Sequence, residues 1–126
     1  GILHSLLGLQ TKENLLNHFI VGASREGFVI EQIISCFQGK RQFYFYRTHQ
    51  GAECDLLIER EGIVMAAIEI KLGASPNVSK GFRISMEDTN AAEGFIIGTG
   101  QDTYKMEENI TVTNLPYFIQ NFLPNL

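Results

Sequence analysis

Three charged side chains, Asp55, Glu69 and Lys71, interrupt two otherwise apolar stretches, ECDLLIE at 53–59 and IVMAAIEIK at 63–71. Charges among apolar strand residues cost desolvation energy unless they are paired or bind a cation. Two carboxylates that share a site repel each other, and Mg²⁺ relieves this because it accepts one or two carboxylate ligands and keeps waters for a phosphate substrate. These residue types therefore indicate a magnesium site for phosphoryl chemistry, with Lys71 orienting an attacking water.

The same spacing has a structural explanation without a metal. Alternating charges on a strand commonly mark a sheet face in contact with water. A Glu–Lys or Asp–Lys pair across a hairpin contributes only roughly a few tenths of a kcal/mol. From the residues alone, the metal site and the solvated face both stay open.

Local patterns predict how these side chains are positioned. A turn at Glu61-Gly62 should join two strands. Strand alternation puts Glu69 and Lys71 on one face, about 7 Å apart. On the first strand it groups Glu53, Asp55 and Leu57 on one face and Cys54, Leu56 and Ile58 on the other. We therefore expect Asp55 and Glu69 to approach each other at one end of a sheet.

The rest of the chain predicts an α/β domain with a mixed central sheet flanked by helices. A helix is expected over 24–37, with Ser24 as its N-cap and Gly39 as its stop, followed by a three-strand meander. A helix at 78–91, strands at 94–100 and 108–114, and a last helix at 115–123 complete the order. Strands that alternate with helices in this way form a sheet covered on its faces.

Composition excludes several classes of protein. The 126 residues include 44% hydrophobic ones but no apolar run near eighteen, so no membrane span is expected. The net charge of −4 argues against a large nucleic-acid-binding surface. Cys36 and Cys54 match neither a disulfide framework nor a metal-binding pair, which predicts buried thiols in a cytoplasmic protein.

Other residues of the chain are weaker candidates for a functional site. The histidines at 4, 18 and 49 lack the spacing of metal ligands, so a structural or solvent-facing role is expected for each. The aromatic strand QFYFYR, with Arg41 and Arg47, could stack nucleic-acid bases. Alternating aromatics on a strand are more often core and edge packing, and both interpretations stay open.

Three segments of the chain, in order, resemble a known family. GASREGFVIEQI, FYRTHQGAECDLLIE and AAIEIKLG are similar to the domain of unknown function at the C-terminus of many prokaryotic AAA-type ATPases. An Asp followed after 13 residues by Glu-x-Lys, downstream of a glutamate-bearing helix, also resembles the PD-(D/E)XK nuclease fold. The resemblance covers roughly residues 20–100 and implies a restriction endonuclease-like core with elements in the order α-β-β-β-α-β.

The resemblance implies a catalytic site formed by Glu26, Asp55, Glu69 and Lys71. Asp55 and Glu69 would be the ligands of Mg²⁺, or of Mn²⁺ as a substitute, together with the backbone carbonyl of Ile70. Lys71 would orient the water, and Glu26 would be an accessory acid. Cys54 stands where the nuclease signature often has proline.

The resemblance also implies a partner in the same chain. Residues 1–20 are expected to form an N-terminal helical segment that links the nuclease-like domain, residues 21–126, to an upstream ATPase domain. Gly22 and Gly27 have the spacing of a phosphate-binding loop, but Phe28 and Val29 follow where Lys and Ser/Thr are required, so no ATP site is predicted in this part. In an isolated fragment the apolar stripes of 1–20 would have lost that partner, which predicts a homodimer.

Two functions from different classes follow. In the first, the domain is a metal-dependent nuclease acting on DNA that the ATPase engages or moves. In the second, it is a non-catalytic module of the same fold that docks or recognises nucleic acid or protein. The complete Asp and Glu-x-Lys set favours the first, and the acidic charge balance favours the second.

Overall fold

The computed structural model describes residues 25–73 and 76–126. Within these ranges the elements are α1 (Arg25–Ser35), β1 (Gln42–Arg47), β2 (Glu53–Arg60), β3 (Ile63–Ile70), α2 (Lys80–Thr89), β4 (Glu93–Gly98), β5 (Tyr104–Glu107), β6 (Ile110–Asn114) and α3 (Leu115–Tyr117), which continues as a π-helical turn (Phe118–Phe122) and a 3₁₀ turn (Leu123–Asn125). The predicted helices within 1–20 and the Ser24 cap lie outside the described residues.

All six strands described belong to one mixed sheet, in the order β1-β2-β3-β4-β6-β5. β1, β2 and β3 form an antiparallel meander, β4 runs parallel to both β3 and β6, and β5 is antiparallel to β6. The predicted α/β architecture with a mixed, helix-flanked sheet is therefore confirmed.

The sheet separates two apolar clusters, one under each helical layer. Val29, Ile30, Ile33 and Ile34 of α1 recur at helical spacing and pack with Phe118 of the C-terminal segment against one face. Phe82 and Met86 of α2 pack in the other cluster, with Tyr44, Leu57 and Ile96. Helices thus cover both faces of the sheet.

The turn between β2 and β3 has the conformation that a two-residue hairpin requires. Glu61 and Gly62 have positive φ values of 54° and 83°. Two consecutive residues at positive φ give the backbone twist that matches the flanking strands. The predicted turn at Glu61-Gly62 is confirmed. The register then shifts by one residue between Ile58 and Glu59, because β3 has one residue more than β2 at this point. The pairing on which the candidate site depends is therefore set by the turn together with this bulge.

Three sequence predictions about the fold need correction. β5 was not predicted, because YKME is a short, largely solvent-facing strand without an apolar alternation. The last helix is α-helical only over Leu115–Tyr117, and Pro124 lies in the 3₁₀ turn that ends it. Cys36 is exposed rather than buried, whereas Cys54 is buried as expected.

No helix in residues 25–73 or 76–126 is both long enough and apolar enough to cross a membrane.

Candidate functional site

The β2–β3 hairpin positions the two predicted metal ligands. Leu56 pairs with Ile68, so Asp55 and Glu69 are next in register across the two antiparallel strands. The two carboxylates are within electrostatic range of each other, because the Asp55 carboxylate raises the pKa of Glu69. The Asp55 carboxylate is anchored to the partner strand, because its Oδ2 accepts a hydrogen bond of 2.8 Å from the backbone N–H of Ile70.

A bulge in β2 surrounds Asp55. Tyr44 pairs with Leu57 and Tyr46 with Cys54, so β2 has one residue more than β1 between these pairs. Cys54 consequently packs in the same cluster as Leu57, not with Leu56 and Ile58. The predicted face for Cys54 was therefore wrong, because strict alternation does not hold across an inserted residue.

Burial and neighbouring charge perturb both carboxylates in the same direction. Burial raises the pKa of Asp55, and the Glu53 and Glu26 carboxylates raise it further, against the Ile70 N–H and the Arg47 guanidinium. Burial also raises the pKa of Glu69, assisted by Asp55 and Glu53, against the Lys71 ammonium. Negative charge is therefore in excess at this end of the sheet.

Electrostatic coupling links the four predicted site residues in pairs. Glu26 is in the first turn of α1, near enough to Asp55 to raise its pKa. Lys71 directly follows β3, and its backbone N–H donates to the carbonyl of Ile97 at 2.8 Å. Its ammonium is near enough to Glu69 to lower the pKa of that carboxyl. The roles implied for these four side chains stay predictions.

Sequence reasoning missed Ser79, which caps α2 beside Glu69. Its Oγ lies 3.5 Å from each carboxylate oxygen of Glu69 and accepts a hydrogen bond of 3.1 Å from the N–H of Phe82. The serine before the first helical residue was a readable N-cap signal. Its contact with Glu69 could not be inferred, because it depends on how the helix docks.

A glycine in α2 allows that docking. A Cβ added to Gly81 would lie 2.5 Å from the carbonyl oxygen of Gly51, in the turn between β1 and β2. Only a residue without a side chain lets the helix approach the turn this closely. The N-terminus of α2 is thereby held beside Glu69. Asp55, Glu69 and the neighbouring carboxylates of Glu26 and Glu53 form what we call the acid cluster.

Glu53 and Arg47 also belong to the site's surroundings and were not predicted as site residues. They are paired across β1 and β2, with 3.3 Å between Nη2 of Arg47 and Oε1 of Glu53. Both lie in the FYRTHQGAECDLLIE segment that carries the family resemblance. Strand alternation predicted Glu53 on the face of Asp55, but nothing in the spacing placed Arg47 near the metal ligands.

The donor set suits a hard divalent cation. Asp55 uses Oδ2 for the hydrogen bond to Ile70, which leaves Oδ1 for a cation, and the Ser79 contact to Glu69 is at the long limit of a hydrogen bond. Within residues 25–73 and 76–126, no three His, Cys, Asp or Glu side chains are arranged to hold a metal. Mg²⁺ nevertheless often binds with only two carboxylate ligands, because waters and substrate oxygens fill the rest of its coordination shell.

The structure does not support a chemical role for the other candidate residues that it describes. Tyr44 and Tyr46 are buried, and the Tyr46 hydroxyl donates to Asp88 at 3.1 Å, so these rings offer no surface for stacking bases. Burial raises the pKa of the Cys54 thiol to about 12, which makes it unreactive. His4 and His18 lie outside the described residues.

Comparison with known proteins places the chain in a family. The family described as "Domain of unknown function (DUF4143)" matches residues 21–118. An uncharacterized protein of Mycobacterium bovis and one of Mycobacterium tuberculosis are each 33% identical to the chain over 110 residues, 87% of its length. The chain spans 24% of the length of each of these relatives. No solved structure gives a significant match.

Proposed function

The chain belongs to the DUF4143 family, and from the geometry of its acid cluster we propose that this domain is a metal-dependent nuclease that hydrolyses phosphodiester bonds of DNA. The observation that carries the proposal is the position of Asp55 and Glu69, adjacent across the β2–β3 hairpin and both with raised pKa values. Partly buried carboxylates that repel each other are favoured by a bound divalent cation.

Each side chain has a defined task in this proposal. Asp55 and Glu69 hold the cation, which when bound stabilises the negative charge that develops on a phosphoryl oxygen. Lys71 donates a hydrogen bond that orients the attacking water, and its charge offsets that of Glu69. Glu26, in the first turn of α1, is an accessory acid. Ser79 restrains the Glu69 carboxylate from the opposite helix.

The proposal extends to the fold and to the longer protein. The order of α1, the β1–β3 meander, α2 and β4 is that expected of a restriction endonuclease-like core. We further propose that an ATPase domain of the same polypeptide delivers DNA to this site and that the isolated domain forms a homodimer. The larger size of the mycobacterial relatives leaves room for such a domain in those proteins.

A plasmid-cleavage assay tests the nuclease function. With Mg²⁺ or Mn²⁺ the wild type should convert supercoiled DNA to nicked or linear forms, and EDTA should prevent this. Asp55→Asn should abolish cleavage, and Lys71→Ala should lower the rate by about 10²-fold or more, as expected for loss of a group acting on the water. Lys105→Ala removes an exposed cation of β5 at the opposite edge of the sheet and serves as the matched control.

A non-catalytic recognition module is the second candidate. It is favoured by the net charge of −4 and by the lack, in the described part of the chain, of three side chains placed to hold a metal. If it is right, the wild type binds DNA or a protein partner equally well with and without Mg²⁺ and leaves plasmid intact. That result would overturn the nuclease proposal.

A further inference from the structure

A groove runs beside the acid cluster, between the β1–β2 turn and α2. Its volume is about 750 Å³, and it is lined by Tyr46, Arg47, Thr48, His49, Gln50, Ile84 and Asp88. None of the four predicted site residues lines it, so the groove is separate from the proposed metal site. Arg47 joins the two, because it lines the groove and also pairs with Glu53 beside Asp55.

The turn that forms one wall of the groove is held in one conformation by its own hydrogen bonds. The Thr48 N–H donates to the Ala52 carbonyl at 3.0 Å, and the Gly51 N–H donates to the Thr48 carbonyl at 3.2 Å. The Ala52 N–H also donates to Oγ1 of Thr48 at 3.1 Å. His49 and Gln50 are therefore presented to solvent at the tip of an ordered turn. Such preorganised polar groups lose little entropy on binding a ligand.

Arg47 is available for an anion at this position. Its side chain is 70% exposed and that of Glu53 is 55% exposed, so their ion pair is screened by water and stabilises little. A guanidinium binds phosphate through two parallel hydrogen bonds, which an exposed carboxylate partner does not prevent.

The remaining groups of the groove are of mixed character. Ile84, which is partly buried, offers an apolar contact to a sugar or base edge. Asp88 is an exposed carboxylate that accepts a hydrogen bond from the Tyr46 hydroxyl and can accept one from a base amino group, but its charge repels phosphate. Arg47 is the one Lys or Arg among the residues that line the groove, and its pairing with Glu53 puts it at the acid-cluster end.

We propose, resting on the nuclease function above, that this groove holds the DNA strand adjacent to the scissile phosphate. Arg47 binds the flanking phosphate, and His49 and Gln50 contact the neighbouring nucleotide. The β1–β2 turn is thus the part of the domain that determines which DNA is accepted.

DNA binding by variants in a Lys71→Ala background tests this assignment, because that background should slow cleavage by about 10²-fold or more. Fluorescence anisotropy with labelled single-stranded and duplex 20-mers in Mg²⁺ gives the affinities. Arg47→Ala should weaken binding about 5- to 10-fold and reduce the slope of log K against log salt by about 1. A His49→Ala, Gln50→Ala double variant should weaken binding about 3- to 10-fold and alter the preference between the two DNAs.

Lys105→Ala is the matched control, since it removes one exposed cation far from the groove. If Arg47→Ala and Lys105→Ala have equal effects, the contribution is general electrostatics and the inference is overturned.

Cleavage by groove variants that keep Lys71 separates the groove proposal from the nuclease proposal. If plasmid is cut and the groove variants cut it equally well, only the groove assignment fails; if DNA is neither bound nor cut, both fail. Thermal unfolding confirms that each variant is folded.

Discussion

Replacing Asp55 by Asn should stabilise the metal-free protein, although Asp55 is partly buried and hydrogen-bonded. The Asn side chain keeps an oxygen that can accept the N–H of Ile70. It removes a negative charge that is desolvated and repelled by Glu53 and Glu26. Removing a charge whose environment disfavours it relieves free energy that folding otherwise has to supply.

The sign of the change follows from the raised pKa of Asp55. The shift is upward in spite of the Ile70 N–H and the Arg47 guanidinium, so removing the charge should raise the free energy of unfolding. Each pKa unit of such a shift corresponds to about 1.4 kcal/mol at neutral pH. In a domain of this size each 1 kcal/mol gained raises Tm by about 4 °C, which thermal unfolding resolves.

Thermal unfolding in EDTA and in excess Mn²⁺ measures both halves of the prediction. The wild type should gain about 2.7 kcal/mol when Mn²⁺ is present at a hundred times its Kd, and Asp55→Asn should lose that gain. Glu108→Gln, in the exposed turn between β5 and β6, removes the same charge away from the site and should change neither quantity. A variant that is less stable than wild type in EDTA, yet still stabilised by Mn²⁺, would refute the reasoning.

Three further predictions concern the same cluster. Because the folded state binds more protons at Asp55 and Glu69 than the unfolded chain does, metal-free stability should rise as pH falls from neutral toward about 4. Melting temperatures that instead fall steadily over that range would contradict the raised pKa values. Ser79→Ala should cost about 1 kcal/mol through loss of the helix cap and weaken Mn²⁺ binding about 10-fold by calorimetry, whereas Ser79→Thr should retain both. Gly81→Ala should destabilise by about 1–3 kcal/mol in urea unfolding because its Cβ meets Gly51, while Gly100→Ala, which has open space, should be nearly neutral.

Sequence reasoning predicted the fold best where local and long-range signals agreed. The hairpin at Glu61-Gly62, α1 and the buried strand β4 have strong turn or periodicity signals, and each is present with only small changes at its ends. β5 was missed because a short, solvent-facing edge strand has no apolar pattern and depends on pairing with β6.

The candidate site could be predicted only in part, for a related reason. The alternation of Glu69 and Lys71 on β3 and the turn at Glu61-Gly62 predicted that Asp55 approaches them. The pairing of the two strands also depends on a register shift between Ile58 and Glu59, which was not predicted. The bulge around Asp55 could not be predicted, since an inserted residue is specified by pairing with β1 rather than by local sequence. The contact of Ser79 with Glu69 depends on how α2 packs against Gly51, and no local sequence pattern encodes this packing.

A crystal structure of the domain grown with Mn²⁺ tests the central claim most directly. The anomalous signal of the ion locates it without reference to activity. We predict one ion bound by Asp55 and Glu69 together, at the short distances of about 2.1 Å that hard cations make to carboxylate oxygens. A saturating Mn²⁺ concentration that leaves no ion between these two carboxylates would contradict the account.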